Sequence, residues 1–452
     1  MQRPGLPTMR SVQDQIARRR RSSLGLSYRK ILAANIVSNL GDGVSGVAYP
    51  WLASAITRNP MLIAAVAIAQ RLPWLVFTLP AGVITDRVDR RRAMVAMDSA
   101  RAVVTALVAL MVFVEQGSLP APDALAGVVG TRWVVYGAVL LATFLLGMAE
   151  VLRDNSAQTI LPAVVAAENL ERANGQMWSA ESVANTFVGP PLGSLLLAAA
   201  FALPFFLDAA SFFAAAALVA TVPGTFRAAR PDKAMRTDWS DELREGVRWL
   251  WANDLLRQMA IILGVMNAAS MVSGATFVLF AQEVLDIGPF VFALVGMGGA
   301  VGAIIGGAVA PMLSRRLGSG TCLRIVLAGS VVVGLAMAST SWWPVACVLF
   351  AFAATLGIVW NVITVSLRQA IIPEHLLGRV NSVYRFFGLG MMPVGAAIGG
   401  LVVLAVGSFA GRDVALRATW VVYALANAVM FLVARTRLTT ARIEAARLAA
   451  AR

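Results

Sequence analysis

Three carboxylates stand in sequence too apolar to solvate them. Asp42 falls within NIVSNLGDGVSGVAYPWL (35–52), Glu150 within GMAEVLRDNSAQTILPAVV (147–165), and Glu181 just ahead of NTFVGPPLGS (185–194). A charge at the centre of a bilayer costs at least ~2.5 kcal/mol, so an acid kept there needs a reason. Desolvation favours the neutral acid, which lets a buried carboxyl bind and release protons near neutral pH. Proton carriage is therefore the chemistry open to Asp42 first, and to Glu150 or Glu181 second. Structural hydrogen bonding or an ion pair, with Arg71 as a candidate cation, is the alternative for each. Asp98 and Arg101 lie three apart in MVAMDSARAVV, on one helical face, where they can compensate each other.

Their depths follow from chain geometry. Asp42 lies about twelve residues into its run, or ~18 Å at 1.5 Å per residue. That is near the middle of a ~30 Å hydrocarbon core. Glu150 and Glu181 fall nearer the cytoplasmic third, and Asp154 at the cytoplasmic mouth. The last five spans contain no clearly embedded carboxylate.

Other chemistries find little support. The single His375 sits in a loop, and Cys322 and Cys347 are separated by a span without a CxxC pair. No metal cluster, disulfide framework or nucleophile constellation results, and no cofactor is expected. No GxxxxGK[ST] nucleotide loop is present, which argues against a primary pump. An enzyme is not expected.

The elements that must position these residues are membrane helices. Of 452 residues, 58% are hydrophobic and 14% charged, well to the apolar side of soluble proteins. Apolar runs predict spans near 31–55, 61–85, 93–114, 133–154, 174–199, 202–223, 256–284, 289–312, 322–340, 344–367, 381–406 and 415–435. The formal charge of +14 does not indicate nucleic acid, because the basic residues flank spans. Of the 38 basic residues, 32 fall in one set of alternate loops and tails and four (Arg58, Arg132, Arg412, Arg417) in the other. That bias predicts both termini in the cytoplasm and an even number of spans. Only Lys30 and Lys233 are lysines, an arginine skew expected of a GC-rich bacterial genome.

The expected organisation is a basic cytoplasmic tail over 1–30, six helices over 31–223, a cytoplasmic linker over 224–255, six more over 256–436, and a tail over 437–452. The first segment lacks a signal-peptide pattern. Within the linker, Ser240, Glu242, Leu243, Val247, Leu250 and Trp251 predict an amphipathic helix on the membrane surface. The halves echo each other: QTILPAVVAAENLERANG (158–175) compares with QAIIPEHLLGRVNS (369–382), each followed by a Gly/Pro-rich stretch. Internal repeats of this kind recur in secondary transporters, with the substrate site where the halves meet.

Two further stretches predict moving parts. GVITDRVDRRR (82–92) puts six charges between two apolar runs, and Asp86 at a helix end can pair with nearby arginines to lock one side closed. In NTFVGPPLGS, Pro190 removes a helix hydrogen bond while Gly189 and Gly193 permit close helix contact, so a bend is expected. Gly298, Gly302 and Gly306 form a small-residue stripe read as packing. The equivalent loop of the second half, PMLSRRLGSG, keeps Arg315 and Arg316 but no acid.

These stretches carry a family resemblance. Gly82, Asp86-Arg87 and Arg90-Arg91 resemble the G-x-x-x-D-R-x-G-R-R loop of the major facilitator superfamily, with Asp89 in place of the second Gly. NTFVGPPLGS resembles that superfamily's antiporter signature at Gly189, Pro190 and Gly193, with Asn185 and Ser194 replacing the outer glycines. The stretches at 35–52 and 147–165, with DRVDRRR and DSAR, look like the macrolide-efflux and enterobactin-exporter branch. The Arg-centred signature of span four in other drug antiporters is missing.

The resemblance implies an all-α membrane protein with twelve transmembrane helices in two six-helix bundles. It implies a monomer in the bacterial inner membrane that exports a small-molecule substrate against protons by alternating access. A drug-like or amphipathic compound such as a macrolide fits an apolar cavity with isolated acids. A siderophore or lysophospholipid exporter is the alternative within the fold, and a receptor or scaffold the alternative outside it. Gly82, Asp86, Arg87, Arg90, Arg91, Asp98, Arg101 and Asp154 are assigned to the gate, and Gly189, Pro190 and Gly193 to the bend.

Overall fold

The computed structural model describes residues 24–122, 124–166, 169–227 and 239–450. Most of the basic segment 1–30 and part of the 224–255 linker lie outside them. Apolar sequence without strand periodicity becomes helix, since a helix satisfies its own backbone. The helices are α1 (Gly25–Ile56), α2 (Pro60–Val76), α3 (Thr78–Arg87), α4 (Arg90–Glu115), α5 (Trp133–Val164), α6 (Leu170–Glu181), α7 (Gly189–Ala199) and α8 (Leu203–Ala220). They continue as α9 (Trp239–Ala252), α10 (Asp254–Gly274), α11 (Phe277–Glu283), α12 (Pro289–Leu317), α13 (Ser319–Ser339), α14 (Trp343–Ile371), α15 (Glu374–Ala410), α16 (Arg412–Arg437) and α17 (Thr440–Ala450). Among the described residues ten helices are long and apolar enough to cross a membrane, the π-linked α6–α7 and the α10–α11 pair each counting once. Helix α1 has the length but is interrupted by Asn35, Ser38, Asn39, Asp42 and Ser45.

Local chemistry sets the boundaries. The run expected over 61–85 breaks at Phe77, where Pro80 offers no N–H to Val76 and Thr78 turns its hydroxyl back onto Trp74. The span expected to end at 154 continues to Val164, because the polar residues after Asp154 give way to QTILPAV. Asn59 caps α2 by accepting from Met61 N at 2.9 Å, with Pro60 in the first turn. Single glycines in the left-handed region, Gly318 (φ 79°) and Gly411 (φ 83°), make the tight α12–α13 and α15–α16 turns.

The packing repeats along the chain. In the first half α1 packs on α7 and α8, α4 on α8, and α2 on α5. In the second, α10 packs on α15 and α16, α13 on α16, and α12 on α14. This is the same scheme carried by different sequence, which the weak echo at 158–175 and 369–382 only hinted at. Close approach depends on small residues, as in other membrane helix pairs. Gly298 and Gly306 each lie where a Cβ would come within 2.7 Å of a carbonyl of α14, and at Gly302 it would come within 1.8 Å of Ala351 O. The stripe is a packing surface.

The amphipathic helix of the linker is present as α9, yet it leans on protein. Leu250 is fully buried, Gly246 abuts the Arg379 backbone, and Trp251 meets Phe387 at 5.4 Å between rings. Glu245 pairs with Arg379. The side chains of Ser240, Glu242 and Leu243 lie outside the described residues.

Candidate functional site

The polar residues of α1 recur at 35, 38, 42 and 45, spacings of three and four that line one helical face. That face turns inward onto α4, α5 and α8. Asp42 Oδ1 accepts from Arg101 Nη2 at 2.5 Å, and Arg101 Nη1 donates to Ser38 Oγ at 3.3 Å. The guanidinium carbon lies 3.8 Å over the Phe212 ring of α8, a cation–π contact away from water. Arg101 Nη1 stands 3.8 Å from Asp98 Oδ1, and Arg153 Nε stands 3.4 Å from the same oxygen. Arg153 Nη1 also donates to Asn35 Oδ1 at 2.9 Å and approaches Asp154 Oδ1 at 3.4 Å.

Asp98 is completely buried and both arginines nearly so, whereas Asp42 keeps 27% of its side-chain surface open. Removing one partner from a buried pair typically costs about 3–5 kcal/mol, so the chain Asp42–Arg101–Asp98–Arg153–Asp154 is tightly specified. Glu150 and Asp208 lie close enough to act on Arg101 through charge without touching it. Carboxyls thus outnumber guanidiniums in the cluster, and the surplus has to be met by protons or a bound cation.

The structure brings some expected residues together and separates others. Asp98 and Arg101, expected at the gate, sit beside Asp42 in the interior, because an ion pair of this depth is stable only inside a polar cluster. Asp154, expected at a helix mouth, lies ten residues before the end of α5 and pairs with Arg153. Glu181 is exposed, with Asp154, Arg153 and Asp42 as its electrostatic neighbours. Arg71, the candidate cation for each acid, does not pair with Asp42; it is exposed, lines a cavity further along, and acts through charge on Glu150.

Two members of the cluster escaped sequence reading. Asp208 had a usable signal, a lone acid in the apolar run LPFFLDAASFF. Arg153 had only a weak one, since beside Asp154 it read as part of a loop until α5 proved longer.

A cavity of about 170 Å³ lies between the halves, lined among others by Tyr49, Gln70, Arg71, Met271, Phe277 and Phe292. Apolar and aromatic walls with a few convergent polar groups are the usual features of a small-molecule site. About one turn beyond it the halves are tied together. Arg58, after α1, pairs with Glu283 at the end of α11 and donates to Gln282 Oε1 at 2.5 Å. Arg412 Nε reaches Glu283 Oε2 at 2.5 Å, and Arg412 Nη2 reaches Arg58 O at 2.9 Å. Gln282 Nε2 donates to Ser54 Oγ at 2.9 Å. On the same side Gly400 of α15 abuts Met61 of α2, and Ser194 Oγ donates to Pro289 O at 3.1 Å.

The charged loop lies at the opposite end. Asp89 caps α4 by accepting from Arg92 N at 3.0 Å, and accepts from Phe226 N at 2.6 Å. Arg90 N returns a bond to Phe226 O at 3.2 Å, and Arg91 Nη1 donates to Val222 O at 2.6 Å. Burial pushes the Asp89 carboxyl up, but the two backbone N–H groups and the charges of Arg91 and Arg92 together hold it below its ordinary range. Asp89 therefore staples the α3–α4 turn to the chain after α8. Arg87 is exposed, and the side chain of Asp86 lies outside the described residues.

The stretch expected to bend holds a change of helix type. Residues Ser182–Val188 form a π-helical turn that ends at Gly189 and Pro190. A Cβ at Gly189 would come within 2.6 Å of Gly43, and one at Gly193 within 2.5 Å of Val44 O. The glycines seat α7 against α1 next to Asp42.

Comparison with known proteins gives a consistent result. The model of a family described as transmembrane secretion effector matches residues 25–448. The multidrug efflux pump Tap of Mycolicibacterium fortuitum is 26% identical over 380 residues, covering 82% of this chain and 87% of the relative. The enterobactin exporter EntS of Shigella boydii serotype 4 is 26% identical over 380 residues, covering 83% and 85%. Among solved structures, a point mutant of the nucleoside transporter NupG superposes with a TM-score of 0.70 at 12% identity, covering 91% of this chain and all of that one. An inward-facing bacterial homologue of the iron transporter ferroportin gives 0.67 at 18% identity, covering 91% and 98%.

Proposed function

Because the chain belongs to the transmembrane secretion effector family, within the major facilitator superfamily, and is a transporter rather than an enzyme, we propose that it exports an amphipathic or drug-like organic compound against an inward flow of protons. The observation that carries this reading is the buried chain Asp42–Arg101–Asp98–Arg153–Asp154, in which acids outnumber cations beside an apolar cavity. Asp42, partly open and next to the α1–α7 contact, is the first proton carrier, with Glu150 and Glu181 supporting it. A cationic or neutral amphipathic substrate suits mainly aliphatic walls that carry Tyr49, Phe277 and Phe292 and one basic group, Arg71. The identities of the relatives favour efflux of a drug or, as the second reading, of a siderophore.

Helix α1 and the α2–α3 pair add two spans to the ten, which makes twelve in two bundles of six. The basic-residue bias supports a bacterial inner-membrane location with both ends cytoplasmic. The Arg58–Glu283–Arg412 tie then closes the outer side, and the described state is inward-facing. Gly82, Asp86, Arg87, Arg90 and Arg91 form the inner gate, and the π-turn ahead of Pro190 gives α7 its hinge. The protein acts as a monomer.

The test is a drug-susceptibility panel in an efflux-deficient host alongside a siderophore-release assay, followed by transport in proteoliposomes with and without a pH gradient. Resistance to a subset of amphipathic drugs and pH-driven accumulation are expected. Transport indifferent to the pH gradient overturns the coupling.

A further inference from the structure

Among the described residues two acids of the cluster, Glu150 and Asp208, pair with no guanidinium, and Asp208 is the one that is fully buried. It stands in α8 with 1% of its surface exposed. Its Oδ2 accepts from the Ser45 hydroxyl, while Oδ1 has no hydrogen-bond partner. Oδ1 lies over Gly41, where a Cβ would come within 2.4 Å of it. The hydroxyls of Tyr49 and Thr105 share the pocket. Asp42, Asp98 and Asp154 each pair with a guanidinium, and Asp208 with none.

The groups facing it are few. From α1 come Asp42 and Tyr49 and from α4 comes Arg101, while Asp42 itself is also faced by Asp98 of α4 and by Glu150, Arg153 and Asp154 of α5. Helices α7 and α8 contribute no other ionisable residue. Arg101 is the one described cation whose charge acts on both Asp42 and Asp208. It is held toward Asp42 by a 2.5 Å hydrogen bond, and toward α8 by Phe212, four residues beyond Asp208 on the same helix face. While it serves Asp42 it cannot also neutralise Asp208, and an unpaired buried carboxylate takes up a proton rather than stay charged.

We propose that Asp42 and Asp208 are two stations for the coupling proton, with Arg101 the charge that excludes the proton from whichever carboxylate it faces. In the state described here Arg101 faces Asp42, and Asp208 holds the proton. In the opposite state Arg101 faces Asp208, and Asp42 holds it. Only O–H bonds are made and broken: a hydronium ion gives its proton to the carboxylate the guanidinium leaves and becomes water, and the carboxyl the guanidinium approaches gives its proton to a water molecule, which becomes hydronium. This rests on the proton-coupled reading above. It adds a second, sealed acid that sequence position did not single out.

The experiment uses the full chain in proteoliposomes, with ethidium or an exported compound of the panel as probe. Asp208→Asn is expected to lose pH-driven accumulation at least tenfold, whereas Glu115→Gln, at the far end of α4 and outside the cluster, is expected to keep it within twofold of wild type. The infrared band of the protonated carboxyl held in the described state is expected to vanish in Asp208→Asn and persist in Glu115→Gln. Full pH-driven accumulation in Asp208→Asn overturns the proposal. Should that variant not fold, Ser45→Ala is expected to move the pH midpoint of transport by at least half a unit, and an unmoved midpoint overturns it equally. A wild-type protein that ignores the pH gradient would instead sink the coupling reading, and is distinguishable on that ground.

Discussion

Arg58 and Glu283, 225 positions apart in the chain, form an ion pair that joins the first half of the molecule to the second. Both side chains are largely buried, at 13% and 18% exposure, and Arg412 binds the other oxygen of the same carboxylate. One acid thus holds two arginines, one in the α1–α2 connection and one at the start of α16, which makes Glu283 the member whose loss frees the most.

Glu283→Gln should therefore favour opening of this end. Losing charge-assisted bonds at a partly buried site costs about 2 kcal/mol, roughly a 30-fold change in the ratio of states. Thiol labelling of a cysteine placed at Ala53 beside the cavity should rise accordingly. Unaltered labelling would count against the tie as a latch.

At the other end, Asp86→Ala should act in the opposite sense. If Asp86 closes the inner gate, cysteine accessibility from the inner side should increase. An unchanged pattern removes Asp86 from the gate.

Within the cluster, Asp42→Asn should abolish pH-driven exchange and leave membrane expression intact. Arg101→Gln should be worse for folding, because it leaves Asp42 and buried Asp98 short of a cation, a loss of about 3–5 kcal/mol. Thermal unfolding in detergent separates the two. Equal stability of both variants would mean that Arg101 is not structural.

Asp89 makes a pH-dependent prediction. Its carboxyl titrates below the ordinary range when folded, so its contribution is present above about pH 4, the unfolded carboxyl value. That contribution is lost as pH falls through the lower folded value. Asp89→Ala should cost about 1 kcal/mol at neutral pH, the usual cost of a lost N-cap, and the gap to wild type should narrow in strong acid. A gap independent of pH would show that the charge contributes nothing.

Gly302 offers a control on packing. A Cβ there would meet Ala351 O at 1.8 Å with backbone on both sides, so even Gly302→Ala must push α12 from α14. A loss of about 1–3 kcal/mol is expected, read as lowered thermal stability, whereas Gly299→Ala faces open space and should be neutral. Equal effects would mean that the stripe does not set the helix spacing.

The sequence by itself determined the broad form. Long apolar runs have no other way to satisfy their backbone in lipid than as helices, and arginines in alternate connections bias their direction. Asp42 could be picked out because a lone acid in such a run is expensive, and Asp98 and Arg101 could be paired because three residues make nearly a turn. What lies across space was not legible. Arg101 rather than Arg71 serves Asp42, Arg153 joins Asp98, and Asp208 is left alone, because these depend on which helices pack and how they are rotated. The same holds for Arg58 and Glu283, whose ion pair exists only once two connections far apart in sequence meet at one end. Sequence spacing carries one helix's faces, whereas partnership between helices is fixed by close packing at glycine contacts such as Gly189 on Gly43.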